Sequence, residues 1–217
     1  MSIDELTTMR SADDSDHDRL VQLLTTAFSE LPPTRWLIPD TNARHRLLPG
    51  YVDIWVEHGL ANGTVEVATG AAGGLVGMAI WLAEPGPEPF SYEQRLANAV
   101  GQKHLPKFRA FDAAMADVHP EQGHLYLAFI AVMPACQGRG YGASLLNRRH
   151  AELDPAMTPA YLVAASVASR RLYLRHGYRD CGHPITLPSG PSMLPMWRLP
   201  AATAEEASPL PDPSSPD

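Results

Sequence analysis

Three glycines spaced two residues apart, Gly138, Gly140 and Gly142, lie between an apolar run and a helical pattern in the stretch LYLAFIAVMPACQGRGYGASLLN at residues 125–147. Glycine has no Cβ atom, so a loop of this composition lets consecutive backbone N–H groups turn toward one anion. The helix that follows presents the positive end of its dipole to the same anion. The stretch therefore predicts a strand, an anion-binding loop and a helix.

Two well-known phosphate-binding loops share this kind of glycine spacing. A Walker loop ends in Gly-Lys-Ser/Thr, whereas this loop ends in Gly-Tyr-Gly, which excludes it. The dinucleotide fingerprint G-x-G-x-x-G/A is matched by Gly138, Gly140 and Ala143, but that fold also needs a tight turn and an acidic residue about 20 positions later. Residues 134–137 lengthen the turn, and the strand predicted at 160–165 ends without a carboxylate. The dinucleotide interpretation is therefore disfavoured.

The loop resembles motif A of the GCN5-related N-acetyltransferase (GNAT) family, whose pattern is Gln/Arg-x-x-Gly-x-Gly/Ala after a strand that often ends in Val-x-Pro. Gln137, Gly140 and Gly142 match this pattern behind the Val-Met-Pro at 132–134. The segment LYLRHGY at 172–178 is similar to motif B of the family, Phe/Leu-Tyr-x-x-x-Gly-Phe/Tyr. The resemblance extends over most of the chain, although only these two segments are specific.

The resemblance implies acetyl-CoA as co-substrate, with its pyrophosphate on the loop amides and its pantetheine beside the main chain of the central strand. The cofactor-binding residues implied in this way are Ile130, Ala131, Val132, Gln137, Gly138, Arg139, Gly140, Tyr141, Gly142 and Ser169. Arg170 or Arg171 is a candidate for the outer phosphate. Ser169 stands where the family often has an asparagine, and its shorter hydroxyl is also suited to capping the next helix.

Tyr173, in the second motif, is the predicted general acid. Moving an acetyl group from a thioester to an amine requires a bound donor, a proton for the departing thiolate and removal of a proton from the amine. A phenol with a pKa of about 10 is a suitable proton donor to the thiolate. Direct attack within a ternary complex is expected, because Cys136 lies beside the phosphate loop without an evident activating base.

The general base is left unassigned. Many members of the family carry a glutamate on the central strand, but the run Tyr-Leu-Ala-Phe at 126–129 has no carboxylate. The candidates are Glu30, His124, Tyr126 and His176, with a chain of water molecules as the alternative.

The acceptor is predicted to be a primary amine of a small molecule. The stretch FSELPPTRW at 28–36 and the long insertion before the central strand are similar to the subgroup of puromycin N-acetyltransferase. In that subgroup the first helix and the insertion form the acceptor pocket, which implies Phe28, Trp36 and Tyr126 as substrate-binding residues and Phe129 as a further candidate. Two alternatives stay open: a protein or peptide N-acetyltransferase with an open groove, and a non-catalytic domain that binds acyl-CoA.

Length and composition predict one globular domain over residues 1–199, followed by a disordered tail over 200–217 that is rich in Pro, Ser and Ala. The net charge of −7 disfavours a nucleic-acid-binding surface, and two cysteines are too few for a zinc cage, so no metal is expected. The chain lacks both a signal peptide pattern and an apolar run of about 20 residues, so no membrane contact and a cytoplasmic location are predicted. The oligomeric state is not predicted.

The patterns around the loop indicate a mixed α/β fold. Together with the resemblance they predict the GNAT acyl-CoA N-acyltransferase fold, a mostly antiparallel mixed central sheet flanked by helices. The chain before the loop is expected to begin with a strand closing at Met9-Arg10 and a helix through Leu20 and Phe28 that is ended by Pro32-Pro33. A short turn or helix at 36–38, a helix over 47–60 and a hairpin of strands 64–69 and 75–82 should follow. A helical insertion over 91–118 is a candidate lid or substrate wall.

After the loop, the helical pattern predicts that Leu145 and Leu146 face the sheet, while Arg148 and Arg149 face water. A strand over 160–165 follows, and then a short helix that carries Tyr173. Two closing strands are expected around the turn at residues 188–191.

Overall fold

A computed structural model describes residues 8–201 of the chain. The strands are β1 (Thr8–Ser11), β2 (Thr64–Thr69), β3 (Leu75–Glu84), β4 (His124–Val132), β5 (Ala160–Ala164), β6 (Arg179–Asp180), β7 (Ile185–Thr186) and β8 (Ser192–Arg198). The helices are α1 (His17–Phe28), α2 (Pro32–Leu37), α3 (Thr41–Asn62), α4 (Tyr92–Ala116), α5 (Tyr141–Leu153) and α6 (Val167–Arg175). The predicted tail lies outside the described residues from position 202 onward, so its disorder stays a prediction.

The sheet runs in the order β1-β2-β3-β4-β5-β8-β6, and β7 pairs with β8. Each of these pairings is antiparallel except that of β4 with β5. The predicted fold class, a mostly antiparallel mixed sheet flanked by helices, is confirmed. The hairpin of β2 and β3 and the strand, loop and helix around the glycines are confirmed as well.

The predicted end of the first helix is wrong. We expected Pro32-Pro33 to end the first helix, but α1 already ends at Phe28 and the two prolines begin α2. Proline is compatible with the first turn of a helix because the N–H groups there have no partner within the helix.

β4 and β5 pair over only two positions, Leu125 with Ala160 and Tyr126 with Tyr161. Along its other edge β4 stays paired with β3 as far as Val132. The second half of β4 therefore turns one edge of its main chain toward a gap in the sheet, where its N–H and C=O groups have no strand partner among the described residues.

A β-bulge at Ala128 decides which side chains of β4 face which helices. Ile80 of β3 lies opposite Phe129 and Trp81 lies opposite Leu127, so Ala128 is an extra residue on β4. Successive side chains of a strand alternate between its faces, and the extra residue shifts that alternation by one. Tyr126 and Phe129, three positions apart, therefore lie on the same face of the sheet.

The two faces of the sheet carry separate cores. One core joins the sheet to α1, α3 and α4 and includes Leu24, Val56 and Phe108, all fully buried. The other core joins the sheet to α5 and α6 and includes Leu145, Leu146 and Tyr173. The gap between β4 and β5 thus lies between helices on both faces. None of the described helices has the length and apolar character needed to cross a membrane.

The insertion predicted over 91–118 forms α4, which is interrupted at Gly101, where φ is 70° and ψ is 162°. The two halves of α4 approach each other beyond this interruption. The Tyr92 hydroxyl donates to Asp112 Oδ2 at 2.9 Å, and Arg109 pairs with Glu93 at 2.8 Å. The insertion packs against α3, and its role as a lid or substrate wall stays a prediction.

Buried Glu66 of β2 attaches α5 to the sheet. Its Oε1 accepts hydrogen bonds from Arg148 Nε at 3.2 Å and from Arg149 Nη2 at 3.1 Å. Burial raises the pKa of the Glu66 carboxyl, and the two arginines oppose that effect. Leu145 and Leu146 face the sheet as predicted, but the prediction that Arg149 faces water is wrong, because a buried carboxylate requires a nearby cation.

Replacing Glu66 with alanine should destabilise the protein, because it leaves the guanidinium of Arg149 buried without this partner. We expect the free energy of unfolding in urea to fall by about 3 kcal/mol. Glu152→Ala is the matched control, since Glu152 pairs with the same arginine from an exposed position and should contribute less than about 1 kcal/mol. Equal effects of the two substitutions would contradict an anchoring role for Glu66.

Candidate active site

A cleft with a volume of about 600 Å³ opens where β4 and β5 separate. Its walls come from the second half of β4, the glycine loop, the end of α1 and one side of α6. The cleft brings together most of the residues predicted from the sequence, namely Phe28, Ile130, Ala131, Val132, Gln137, Gly138, Gly140, Tyr141, Gly142, Ser169 and Tyr173.

The loop adopts a backbone conformation that favours glycine. Gly138 has a φ of 74° and Gly140 has a φ of 90°, both in the left-handed region. Gly140 immediately precedes α5, and no side chain caps that helix. The first N–H groups of a helix have no partner within it, so those of α5 remain free to bind an anion. Gln137 Nε2 donates to the carbonyl of Val132 at 3.1 Å and so ties the loop to β4.

Tyr173 lies on the wall of the cleft and is only 5% exposed. Its ring packs against Tyr178 with 5.8 Å between the ring centroids. Burial raises the pKa of the Tyr173 hydroxyl above its usual value, and the nearby hydroxyl of Tyr126 adds to this effect. The phenol is therefore protonated at neutral pH and has a proton to donate.

Ser169 takes part in a capping box at the start of α6. The residue that caps the helix is Ser166, whose Oγ accepts a hydrogen bond from the Ser169 N–H at 3.1 Å. Ser169 Oγ in turn accepts from the Ser166 N–H at 3.1 Å. We expected Ser169 itself to cap the helix, which is wrong, because the capping residue lies three positions earlier at Ser166. Both serines line the cleft.

Three predicted residues, Arg139, Trp36 and Tyr126, are not among those that line the cleft. Arg139 belongs to the loop but is exposed. Trp36 lies on α2, outside the cleft wall, and its Nε1 donates to the carbonyl of Pro188 at 2.9 Å. Tyr126 lies nearer the start of β4, where its ring is 5.1 Å from that of His119.

The side chains proposed as general bases lie outside the cleft wall. Glu30 pairs with Arg44 at 2.9 Å, which lowers the pKa of its carboxyl. His124 Nδ1 is 2.7 Å from the carbonyl of Gln122. His176 Nδ1 is 2.8 Å from the carbonyl of Leu172. Each of these groups is already engaged in a local contact.

Arg175 lines the cleft, although the sequence analysis did not select it. Arg170 instead pairs with Asp180 at 2.9 Å, and Arg171 is exposed. The cleft side of α6 includes Ser169, Leu172 and Arg175, which recur every third residue. This helical period, counted from the predicted Ser169, is the signal that identifies Arg175.

The family of the chain follows from residues 88–199, which match the acetyltransferase (GNAT) domain and make up more than half of the sequence. A solved structure described as histone acetyltransferase HPA2 and related acetyltransferase from Corynebacterium glutamicum is 28% identical, with a TM-score of 0.72, over 90% of this chain and 97% of that one. Two others show the fold alone. Arylalkylamine N-acetyltransferase 2 from Aedes aegypti is 11% identical, with a TM-score of 0.59, over 89% and 98% of the two chains. An agmatine N-acetyltransferase is 18% identical, with a TM-score of 0.57, over 88% and 97%. The chain therefore belongs to the GNAT family of acetyltransferases, as its two motifs predicted.

Proposed function

We propose that this protein transfers the acetyl group of acetyl-CoA to a primary amine of a small molecule, by direct attack within a ternary complex. The observation that carries the proposal is that both the glycine loop before α5 and the buried side chain of Tyr173 line one cleft. Acetyl-CoA is the co-substrate that the family generally uses. The free amides of the loop suit its pyrophosphate, and the unpaired edge of β4 suits its pantetheine.

The donor site that we infer uses main-chain groups for most of its contacts. Ile130 to Val132 lie in the half of β4 whose second edge is open, although the carbonyl of Val132 already accepts a hydrogen bond from Gln137 Nε2. Gly138 and the residues at the start of α5 line the same cleft, where their amides would bind the pyrophosphate. Among the arginines, Arg175 is the better candidate for the outer phosphate, because Arg170 is engaged with Asp180.

In the proposed reaction, the amine nitrogen forms a bond to the thioester carbon while the carbon–sulfur bond breaks. Tyr173 donates the proton of its hydroxyl to the departing sulfur and is reprotonated from solvent. The described residues that line the cleft include no carboxylate and no imidazole. We therefore assign removal of the amine proton to water in the cleft.

A small amine is the favoured acceptor because the long insertion packs as α4 against α3, and its apolar residues join the core on this face of the sheet. A peptide would need an open groove there. Among the solved structures with this fold are an agmatine and an arylalkylamine N-acetyltransferase, whose names give small amines as substrates. The finer proposal is that the chain falls in the subgroup of puromycin N-acetyltransferase, with Phe28 at the entrance to the acceptor pocket. Its cytoplasmic location also stays a prediction.

The function is tested by thiol release from acetyl-CoA with a panel that contains puromycin, aminoglycosides, polyamines, arylalkylamines, amino acids and lysine peptides. Release that depends on one class of small amine is the expected result. Release with the peptides alone would favour the protein or peptide N-acetyltransferase. Silence across the panel, while acetyl-CoA still raises Tm, would favour the non-catalytic domain.

Removal of the Tyr173 hydroxyl by Tyr173→Phe should lower kcat by about 100-fold, the usual contribution of a positioned general acid. The Kd of acetyl-CoA should not change, because the cleft keeps its shape. Tyr178→Phe is the matched control, because it removes the hydroxyl of the adjacent ring. That hydroxyl lies 3.2 Å from His150 Nε2, and Tyr178 does not line the cleft. A kcat that survives Tyr173→Phe would exclude Tyr173 from the mechanism.

The substitution Gly140→Val should weaken acetyl-CoA binding more than tenfold in calorimetric titration. The left-handed φ at position 140 is unfavourable for a β-branched residue, so the loop must distort. Gly73→Val is the control, since Gly73 has a φ of 79° in the turn between β2 and β3, away from the cleft. Both substitutions strain the backbone, but Gly73→Val should leave the Kd unchanged. Similar losses of affinity would indicate general destabilisation and contradict the proposed phosphate site.

A further inference from the structure

Aromatic side chains form a row that begins at the cleft wall with Phe28 and Phe129 and continues onto α3 and α4. Phe129, on the wall, packs against Phe28 with 5.6 Å and against Trp55 with 5.9 Å between ring centroids. Trp55 packs in turn against Tyr92 at 5.6 Å. All four residues are partly exposed. The rings pack against the core and keep part of their surface exposed.

One carboxylate, that of Asp112, stands at the inner end of this series of rings. Its Oδ2 accepts a hydrogen bond from the Tyr92 hydroxyl at 2.9 Å. The neighbouring arginines pair with other acids, Arg95 with Glu57 and Arg109 with Glu93. Among the described ion pairs none includes Asp112.

The charge of Asp112 acts on neighbouring tyrosine hydroxyls. Burial raises the pKa of its carboxyl to about 6. Its charge raises the pKa of the hydroxyls of Tyr51 and Tyr126, so both lie near the carboxylate. Tyr126 also raises the pKa of Tyr173. Tyr126 is thus electrostatically close to both Asp112 and the predicted general acid.

A partly buried carboxylate without a cationic partner is unfavourable, and a ligand cation would relieve it. Aromatic faces add to this attraction, because the ring quadrupole favours a positive charge above the ring. The rings of Trp55 and Tyr92 stand between Asp112 and Phe129 on the cleft wall. A group bound at Asp112 is therefore a different group from the amine that attacks the thioester.

We propose that Asp112, with the rings of Trp55 and Tyr92, binds a second cationic group of the acceptor. The preferred acceptor is then a diamine, or an amine that carries another basic group at a distance. Asp112 determines specificity, and Tyr92 is a positioning residue that holds the carboxylate through its hydroxyl. This inference rests on the proposed function and deepens it by naming the substrate class.

The test compares kcat/KM for α,ω-diamines of three to six carbons with kcat/KM for n-alkylamines of the same lengths, by thiol release from acetyl-CoA. The wild-type protein should prefer at least one diamine over its matched alkylamine by about tenfold or more, as expected for a desolvated charge pair. Asp112→Asn should abolish this preference and leave the alkylamine rates within about twofold. Asp117→Asn, an exposed acid at the end of the same helix, should preserve the preference.

A second variant separates loss of charge from loss of structure. Asp112→Glu keeps the carboxylate and should retain part of the diamine preference, which a packing defect at this position would not allow. A diamine preference that persists in Asp112→Asn, or a wild-type protein that does not discriminate, would overturn the inference while acetyl transfer itself still stands.

Thiol release with none of the amines would instead contradict the proposed function. Binding of a cationic group at Asp112 is then tested without turnover. Diamines should raise the Tm of the wild-type protein more than alkylamines do, and Asp112→Asn should remove the difference. The absence of any such difference in the wild-type protein would overturn the inference independently of catalysis.

Discussion

Parallel pairing between β4 and β5 ends after two residues, and the candidate active site exists because it ends there. A sheet paired along its whole length would cover both edges of every inner strand and leave no room for a ligand within it. Here β4 stays bonded to β3, so it remains rigid while its other edge is open. The donor can therefore bind along a fixed strand, as an additional strand would.

The phosphate end of the site depends on where α5 begins and how firmly it is held. Gly138 and Gly140 supply the left-handed backbone that turns the chain from β4 into the helix. Leu145 and Leu146 fix the helix by apolar contact, and buried Glu66 fixes it through two arginines. An anion bound at the helix start is then met by groups that are already ordered, so little entropy is lost on binding.

The two motifs could be predicted from the sequence because each is local: the glycines, the strand before them and the helix carrying Tyr173 are set by neighbours in the chain. Arg149 was wrongly expected to face water because its partner Glu66 lies on a distant strand and no helical period reveals a buried ion pair. Trp36 does not line the cleft, because its position follows from the start of α2 and a contact with Pro188, which only the tertiary structure shows.

The contact of Asp112 with Tyr92 could not be predicted from the sequence for a related reason. Asp112 lies twenty residues after Tyr92, and the two meet because the chain leaves the helical conformation at Gly101. The bulge at Ala128 has a similar effect on β4, since it places Phe129 on the face that carries Tyr126. The donor half of the proposed site thus depends on main-chain groups and local motifs. The acceptor half depends on side chains brought together by irregularities in the backbone, and such a site can change its substrate without change to the glycine loop.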